Sequence, residues 1–337
     1  MDLALGLVIL TVAIALVFDY TNGFHDAANA IATSVSTRAL TPRVALAMAA
    51  ILNFVGAYLG VEVAKTIADI LTGFEGFSAT HALVVIMSAL IGAITWNLIT
   101  WYFGIPSSSS HALIGGLIGV GLAAGVSVNW DKVIDKVAIP MVLSPALGFC
   151  GAFIVMTAIM WIFRKARPQP VNRGFRLAQT VSAAMMSLGH GLQDAQKTMG
   201  VIVLALFAAG RLPTADEVPT WVIVASATAI GLGTYSGGIR IIRTMGRRII
   251  ALDPPRGFAA EFTGSIVLYV MAIGLHAPVS TTHTITSSIM GAGATKSLRA
   301  VRWGVARSII TAWIITIPMA GMFGALSYGL VHLALES

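Results

Sequence analysis

Two stretches of the chain join proline, consecutive hydroxyls and histidine inside apolar surroundings: Ile105-Pro106-Ser107-Ser108-Ser109-Ser110-His111 and Ala277-Pro278-Val279-Ser280-Thr281-Thr282-His283. Proline suits a first helical turn and serine an N-cap, so each stretch predicts the start of a helix. A helix that starts at membrane depth turns unpaired N–H groups and the positive end of its dipole toward whatever lies above it, which suits an anion. Ser108, Ser109, Ser110, Ser280, Thr281 and Thr282 are therefore candidate anion contacts. His111 and His283 follow them as loop-bonding or proton-handling groups. Two carboxylates lie elsewhere in apolar sequence. Asp26 stands in Asn22-Gly23-Phe24-His25-Asp26-Ala27-Ala28-Asn29 and Asp194 in Gly191-Leu192-Gln193-Asp194-Ala195-Gln196-Lys197. An intramembrane aspartate is costly and by default functional. A carboxylate accepts hydrogen bonds, so two aspartates favour an oxyanion that still carries O–H protons over one that has none.

On a helix, Asp26, Asn29 and Thr33 share one face, while Asn22-Gly23 predicts a local break. Asn29, Gln193 and Lys197 join the two aspartates as candidate substrate ligands. Asn22, His25 and Gln196, with the same aspartates, are candidates to bind a small cation or a proton. Glu261 has no acidic counterpart at Ala89 and reads equally as an interface anchor or an ion ligand. The elements that must hold these groups are apolar. Hydrophobic residues make up 57% of the chain and charged ones 10%, with a mean hydropathy of +0.86, against about 25% charge in soluble domains. Long apolar runs near 3–18, 44–61, 82–103, 137–163, 198–209, 220–239, 263–275 and 303–332 predict membrane spans. The N-terminus, with Asp2 and no basic region, reads as a retained first span. Cys150 alone excludes an internal disulfide.

Net charge is +7, but its distribution points to topology and not to nucleic acid. Fifteen bases (Arg38, Arg43, five from Arg164 to Arg176, five from Arg240 to Arg256, and Lys296, Arg299 and Arg302) fall in loops that an alternating path puts on one side. The positive-inside rule makes that side cytoplasmic and both termini extracytoplasmic. Markers recur in order at shifts of 168 to 177 residues: Asp26 with Asp194, Gly56-x-Tyr58-x-Gly60 with Gly233-x-Tyr235-x-Gly237, Gly92 with Gly264, the hydroxyl stretches, Trp130 with Trp303, and Pro145 with Pro318. The chain thus reads as a first repeat (1–163), a polar cytoplasmic linker (164–176) and a second repeat (177–337). Basic Arg38 and Arg43 follow the first aspartate segment, whereas Arg211, Asp216 and Glu217 follow the second, so the repeats are inverted. Each holds either five spans or three spans and a re-entrant hairpin. The fold class is an all-α polytopic membrane protein with two inverted-topology repeats and broken helices or hairpins at a midplane site, the architecture of secondary transporters. The paired Gly-x-Tyr-x-Gly stretches predict close helix contacts. Trp96, Trp101, Trp130, Trp221 and Trp303 read as interfacial anchors.

The segment from Asn22 to Ala30, its echo from Gly191 to Lys197 and the two hydroxyl–histidine stretches together resemble the paired signatures of the PiT family of inorganic phosphate transporters, over nearly the whole chain. The resemblance implies a symporter in a cell membrane, driven by protons or sodium. Orthophosphate would lie between the aspartate segments and the helix starts, in a chain that is often homodimeric. Animal members have Gly-Ala-Asn-Asp-Val-Ala-Asn-Ala, with Asn where His25 stands; Gln193 and Lys197 also depart from that pattern. Bacterial low-affinity members share these departures more closely. They are viewed as proton-coupled, some taking neutral metal-phosphate, so the resemblance favours protons over sodium. No other cofactor is expected. A sulfate carrier or anion channel are the alternatives. A membrane phosphatase is disfavoured, because serine and histidine adjacent on a helix point apart and no orienting third residue is evident.

Overall fold

The computed structural model describes residues 3–336; the expectation for the N-terminus at Asp2 lies outside the described residues. The first half runs α1 (Leu3–Ser36), α2 (Pro42–Gly56), α3 (Glu62–Ala68), strand β1 (Leu71–Thr72), α4 (Ala79–Phe103), α5 (Ser109–Ala124), strand β2 (Ser127–Val128), α6 (Trp130–Lys132) and α7 (Ile139–Ile162). A π-helical stretch, Val133–Ala138, joins α6 to α7 as one span. The second half runs α8 (Pro168–Ala208), α9 (Thr220–Ser236), α10 (Ile239–Arg243), α11 (Pro254–Tyr269), α12 (Thr281–Ala294) and α13 (Trp303–Glu336). Among the described residues five helices are long and apolar enough to cross a membrane. The α9–α10 pair, bent by 59°, makes a sixth.

Several expected spans take another form. α2 has 15 residues, about 22 Å at 1.5 Å per residue, short of the ~30 Å hydrocarbon layer. The run at 198–209 is the end of α8, a helix of 41 residues that already includes 168–176 of the polar linker. Pro168 opens that helix in its first turn after an extended Arg167, where a missing N–H costs nothing. The break expected at Asn22-Gly23 is absent, and α1 runs through it for 34 residues. Gly23 serves close approach instead: a Cβ there would lie 2.5 Å from the Ile230 carbonyl oxygen of α9.

Hydrogen bonds sort the helix ends onto two faces. On one, Ser36 Oγ donates to the Gly246 carbonyl, Thr37 Oγ1 donates to Gln179 Oε1 (2.6 Å), and Arg302 N donates to the Ile249 carbonyl (3.0 Å). This face gathers the arginine-rich loops. On the other, β1 pairs with β2, Thr66 bonds the His276 carbonyl (2.9 Å) and Lys136 the Leu275 carbonyl (2.9 Å). The α4–α5 hairpin therefore enters and leaves on the β-strand face, and α11–α12 on the basic face. That is the arrangement of inverted repeats, each with a re-entrant hairpin.

The repeats interlock. α1 packs on α9 and α8 on α2; α13 covers α4 and α5, while α7 covers α11 and α12. The Gly-x-Tyr-x-Gly stretches make two of these seams within the chain. A Cβ at Gly56 would lie 2.2 Å from the Leu188 carbonyl oxygen and one at Gly233 2.2 Å from that of Tyr20, whereas at Gly60 the nearest atom is 3.4 Å away. Alanine at 56 or 233 is expected to destabilise the protein by about 1–3 kcal/mol, as overpacking does. Gly60→Ala should melt close to wild type, a contrast read from thermal unfolding of the detergent-solubilised protein.

Two tryptophans depart from the interfacial expectation, one hydrogen-bonded in the interior and one held by ring contacts. Trp96 is buried with Nε1 donating to Thr316 Oγ1 (3.0 Å). Trp101 is held between Phe24 and Arg240. Trp130, Trp221 and Trp303 are half exposed at helix starts.

Candidate functional site

Both hairpin turns end in a helix start inside the protein. Gly104, at φ +66°, terminates α4, a backbone region glycine reaches without strain. Ile105 to Ser107 lead into Ser108, whose Oγ accepts from His111 N (3.2 Å) as the N-cap of α5. In the second hairpin His276, 172 residues after Gly104, holds φ +51°, and Ser280 Oγ accepts from His283 N (3.1 Å) to cap α12. Pro106 and Pro278 stand in the lead-in and not in the first helical turn, a register difference from the expectation. It leaves the residues after the caps with free N–H groups at the two N-termini.

The N-termini meet. Ser110 Oγ donates to the Val279 carbonyl (3.2 Å), and the His111 and His283 rings lie 4.6 Å apart. His283 stacks on Trp313 at 3.9 Å, whose Nε1 donates to the Pro106 carbonyl (3.2 Å). Across from them α1 and α8 run antiparallel. Asp26 Oδ1 accepts from His25 Nδ1 (2.6 Å) and Thr282 Oγ1 (3.4 Å), and Oδ2 from Ser109 Oγ (2.8 Å). Asn29 Nδ2 donates to Thr281 Oγ1 (3.1 Å) and Thr282 Oγ1 (2.9 Å). Lys197 Nζ donates to Asp194 Oδ1 and Ser110 Oγ, and to the Val279 carbonyl (3.4 Å). Asp26, His190 and Asp194 each bring one ligand-type atom to within 4.8 Å of the others.

Nine of the expected residues thus belong to one cluster: His25, Asp26, Asn29, Ser109, Ser110, Asp194, Lys197, Thr281 and Thr282, each no more than 1% exposed. Ser108 and Ser280 use their oxygens as caps and keep their O–H protons. Gln193 ties down the second turn, donating to the Ala277 carbonyl (3.3 Å) and accepting from Val279 N (3.4 Å). Gln196 turns away from the cluster, accepting from Val63 N (2.8 Å) at the start of α3, because two residues along a helix is the opposite side. Asn22 is buried one turn before Asp26 with no hydrogen bond on either amide atom. Glu261 is no interface anchor. It is buried and accepts from Thr33, Ser34 and Ser182 (2.6 Å for the last).

The residue that motif reading missed is His190. Its Nδ1 lies 3.2 Å from Asn53 Oδ1 and its Nε2 3.1 Å from Asp194 Oδ2. The signal was present, since His190 is the 168-residue counterpart of Asn22. Ligand-type atoms left without hydrogen bonds line the same region: Asn29 Oδ1, both His111 ring nitrogens and His283 Nε2. Buried polar atoms without partners are few in native proteins, and a group of them marks where something else binds.

Inverted hairpins whose helix starts face carboxylates and an ammonium at the centre of interlocked repeats have the architecture of a secondary transporter. The comparisons agree. A model of the phosphate transporter family matches the chain twice, over residues 22–173 and 164–324. A Rhizobium meliloti (strain 1021) protein named "Probable low-affinity inorganic phosphate transporter" is 49% identical over 97% of this chain and 97% of its own. A Bacillus subtilis (strain 168) protein of the same name is 46% identical over 99% of each. A solved structure titled "The sodium-dependent phosphate transporter" superposes with a TM-score of 0.89 at 25% identity, covering 97% of this chain and 99% of that one. The chain belongs to the phosphate transporter family. It is a multi-pass membrane transporter and not an enzyme.

Proposed function

We propose that the protein is a proton-coupled inorganic phosphate symporter working by alternating access. The observation that carries the reading is the meeting of two inverted helix N-termini at Ser110 and Val279, with Lys197 between them and Asp26 and Asp194 alongside. Helix starts and an ammonium attract a small oxyanion. The carboxylates accept its O–H protons, which selects phosphate over sulfate. Coupling arises when anion and cation each favour the same closed state, so that neither crosses efficiently alone.

The choice of proton over sodium rests on what the carboxylates touch. Asp26 has an imidazole at 2.6 Å and Asp194 an ammonium. Imidazole exchanges protons near neutral pH, whereas hard cations take oxygen ligands. The basic face is then the cytoplasmic one, with both termini outside. One observation favours a second cargo. Two carboxylates and the His190 imidazole within 4.8 Å form a mixed donor set that suits a divalent metal riding with phosphate.

Radiolabelled phosphate uptake into proteoliposomes, with proton and sodium gradients imposed separately, tests the reading. Uptake should follow the proton gradient, be indifferent to sodium and resist excess sulfate. Accumulation driven by sodium alone overturns the choice of ion. Competition by sulfate overturns the substrate.

A further inference from the structure

The polar face of α1 extends beyond the phosphate cluster. Asp19, Asn22, Asp26, Asn29 and Thr33 follow one another at steps of three and four, a single stripe along the helix, and the stripe lies against α8. Toward the basic face its last member is satisfied: Thr33 meets Glu261. Toward the other face its first members are not. Both carboxylate oxygens of Asp19, both amide atoms of Asn22 and the hydroxyl of Thr198 are buried without a hydrogen bond of ordinary geometry, in residues that are 0% exposed. Thr198 is the polar side chain that faces Asp19, and the charges that bear on it are Asp194 and Lys197 of α8. Among the described residues, α4 and α9, which also pack on α1, bring no titratable group to it.

A carboxylate in such surroundings is expensive unless something neutralises it. Lys197 is already committed to Asp194 and Ser110. Side chains supply at most four oxygens here, two from Asp19 and one each from Asn22 and Thr198, on helices whose carbonyls are used in their own ladders. A hard divalent ion takes six to eight. A proton needs one. We propose that Asp19 is a proton-binding station of the transport cycle, two turns from Asp26 (~10 Å along α1) and outside the phosphate cluster. The inference rests on the proton-coupled reading above.

The station is tied to the anion site through one ammonium. An ionised Asp19 competes with Asp194 for Lys197. A protonated Asp19 leaves Lys197 at the two helix starts, where phosphate binds. The step is a simple transfer: a water-borne proton forms an O–H bond on a carboxylate oxygen of Asp19 on one side of the membrane, and that bond breaks to water on the other. Phosphate binding and proton binding therefore favour the same closed state.

The test uses the full chain in proteoliposomes with an entrapped pH dye. A variant fixed in the neutral form cannot release a proton, yet it can still exchange phosphate between the two sides. In Asp19→Asn, net accumulation and phosphate-dependent proton entry should fall at least about tenfold, the scale of typical coupling between sites, while exchange of labelled for unlabelled phosphate stays within about threefold of wild type. Asp19→Glu should retain both. An Asn variant that accumulates phosphate and carries protons like wild type overturns the assignment. So does one that melts like wild type but loses exchange as severely as accumulation. Wild-type protein that moves sodium and no protons with phosphate overturns the coupling reading itself, a failure visible before any variant is made.

Discussion

Replacing Asp26 with asparagine should abolish phosphate accumulation. Asp26 receives hydrogen bonds from His25, Ser109 and Thr282, so it joins α1 to both hairpin starts, and only a carboxylate offers acceptor sites on both oxygens. An amide turns two donors into that ring of donors. Hydrogen bonds to a charged group contribute about 1.5–3 kcal/mol each, so losing one in the substrate-bound state lowers uptake by up to about 100-fold. Asp194→Asn should do the same from the α8 side, where the partners lost are Lys197 and His190. Proteoliposome accumulation measured beside a melting curve separates lost transport from lost folding. Normal accumulation by either variant would show that its carboxylate has no part in transport.

Lys197→Met should be the most destabilising single change at the site. Lys197 and Asp194 are both fully buried, and removing one partner of a buried pair leaves an uncompensated charge, at about 3–5 kcal/mol. The His190 ring, 3.1 Å from the other Asp194 oxygen, still offers that carboxylate a partner. The double variant Lys197→Met with Asp194→Asn should therefore melt well above the single one, while neither transports phosphate. A single variant with the wild-type melting temperature would show that Asp194 does not depend on the ammonium.

The motifs were legible because each is local. Caps, the Asp26–Asn29–Thr33 face and the recurrence at shifts near 170 residues can all be read without knowing what packs on what. Inversion was legible too, since positive charge is counted loop by loop. Whether the hydroxyl stretches were spans or hairpins was not, because α4 with 25 residues is long enough to cross a membrane. Only the pairing of β1 with β2 brings both ends of that hairpin to one face. The Asn22-Gly23 break failed as a local reading for a tertiary reason: the glycine is needed for contact with α9, and the helix that makes the contact is unbroken. Gln196 was a candidate for its amide chemistry, but helical geometry turns it to α3.

What the sequence by itself determined was the inventory: a membrane chain, two opposed copies of one unit, and in each a carboxylate and a capped helix start. Those follow from composition, periodicity and cap chemistry, which act over a few residues. Which groups share the centre was decided by tertiary structure. His190 reaches Asp194 because Asn53 of the other repeat holds its ring, and Lys197 reaches Ser110 across the repeat interface. Asp19 is buried facing Thr198, with Lys197 of the same helix already held by Asp194, because α8 packs along α1. Burial and partnership are properties of packed helices, and a buried charge declares its role only once its neighbours are in place.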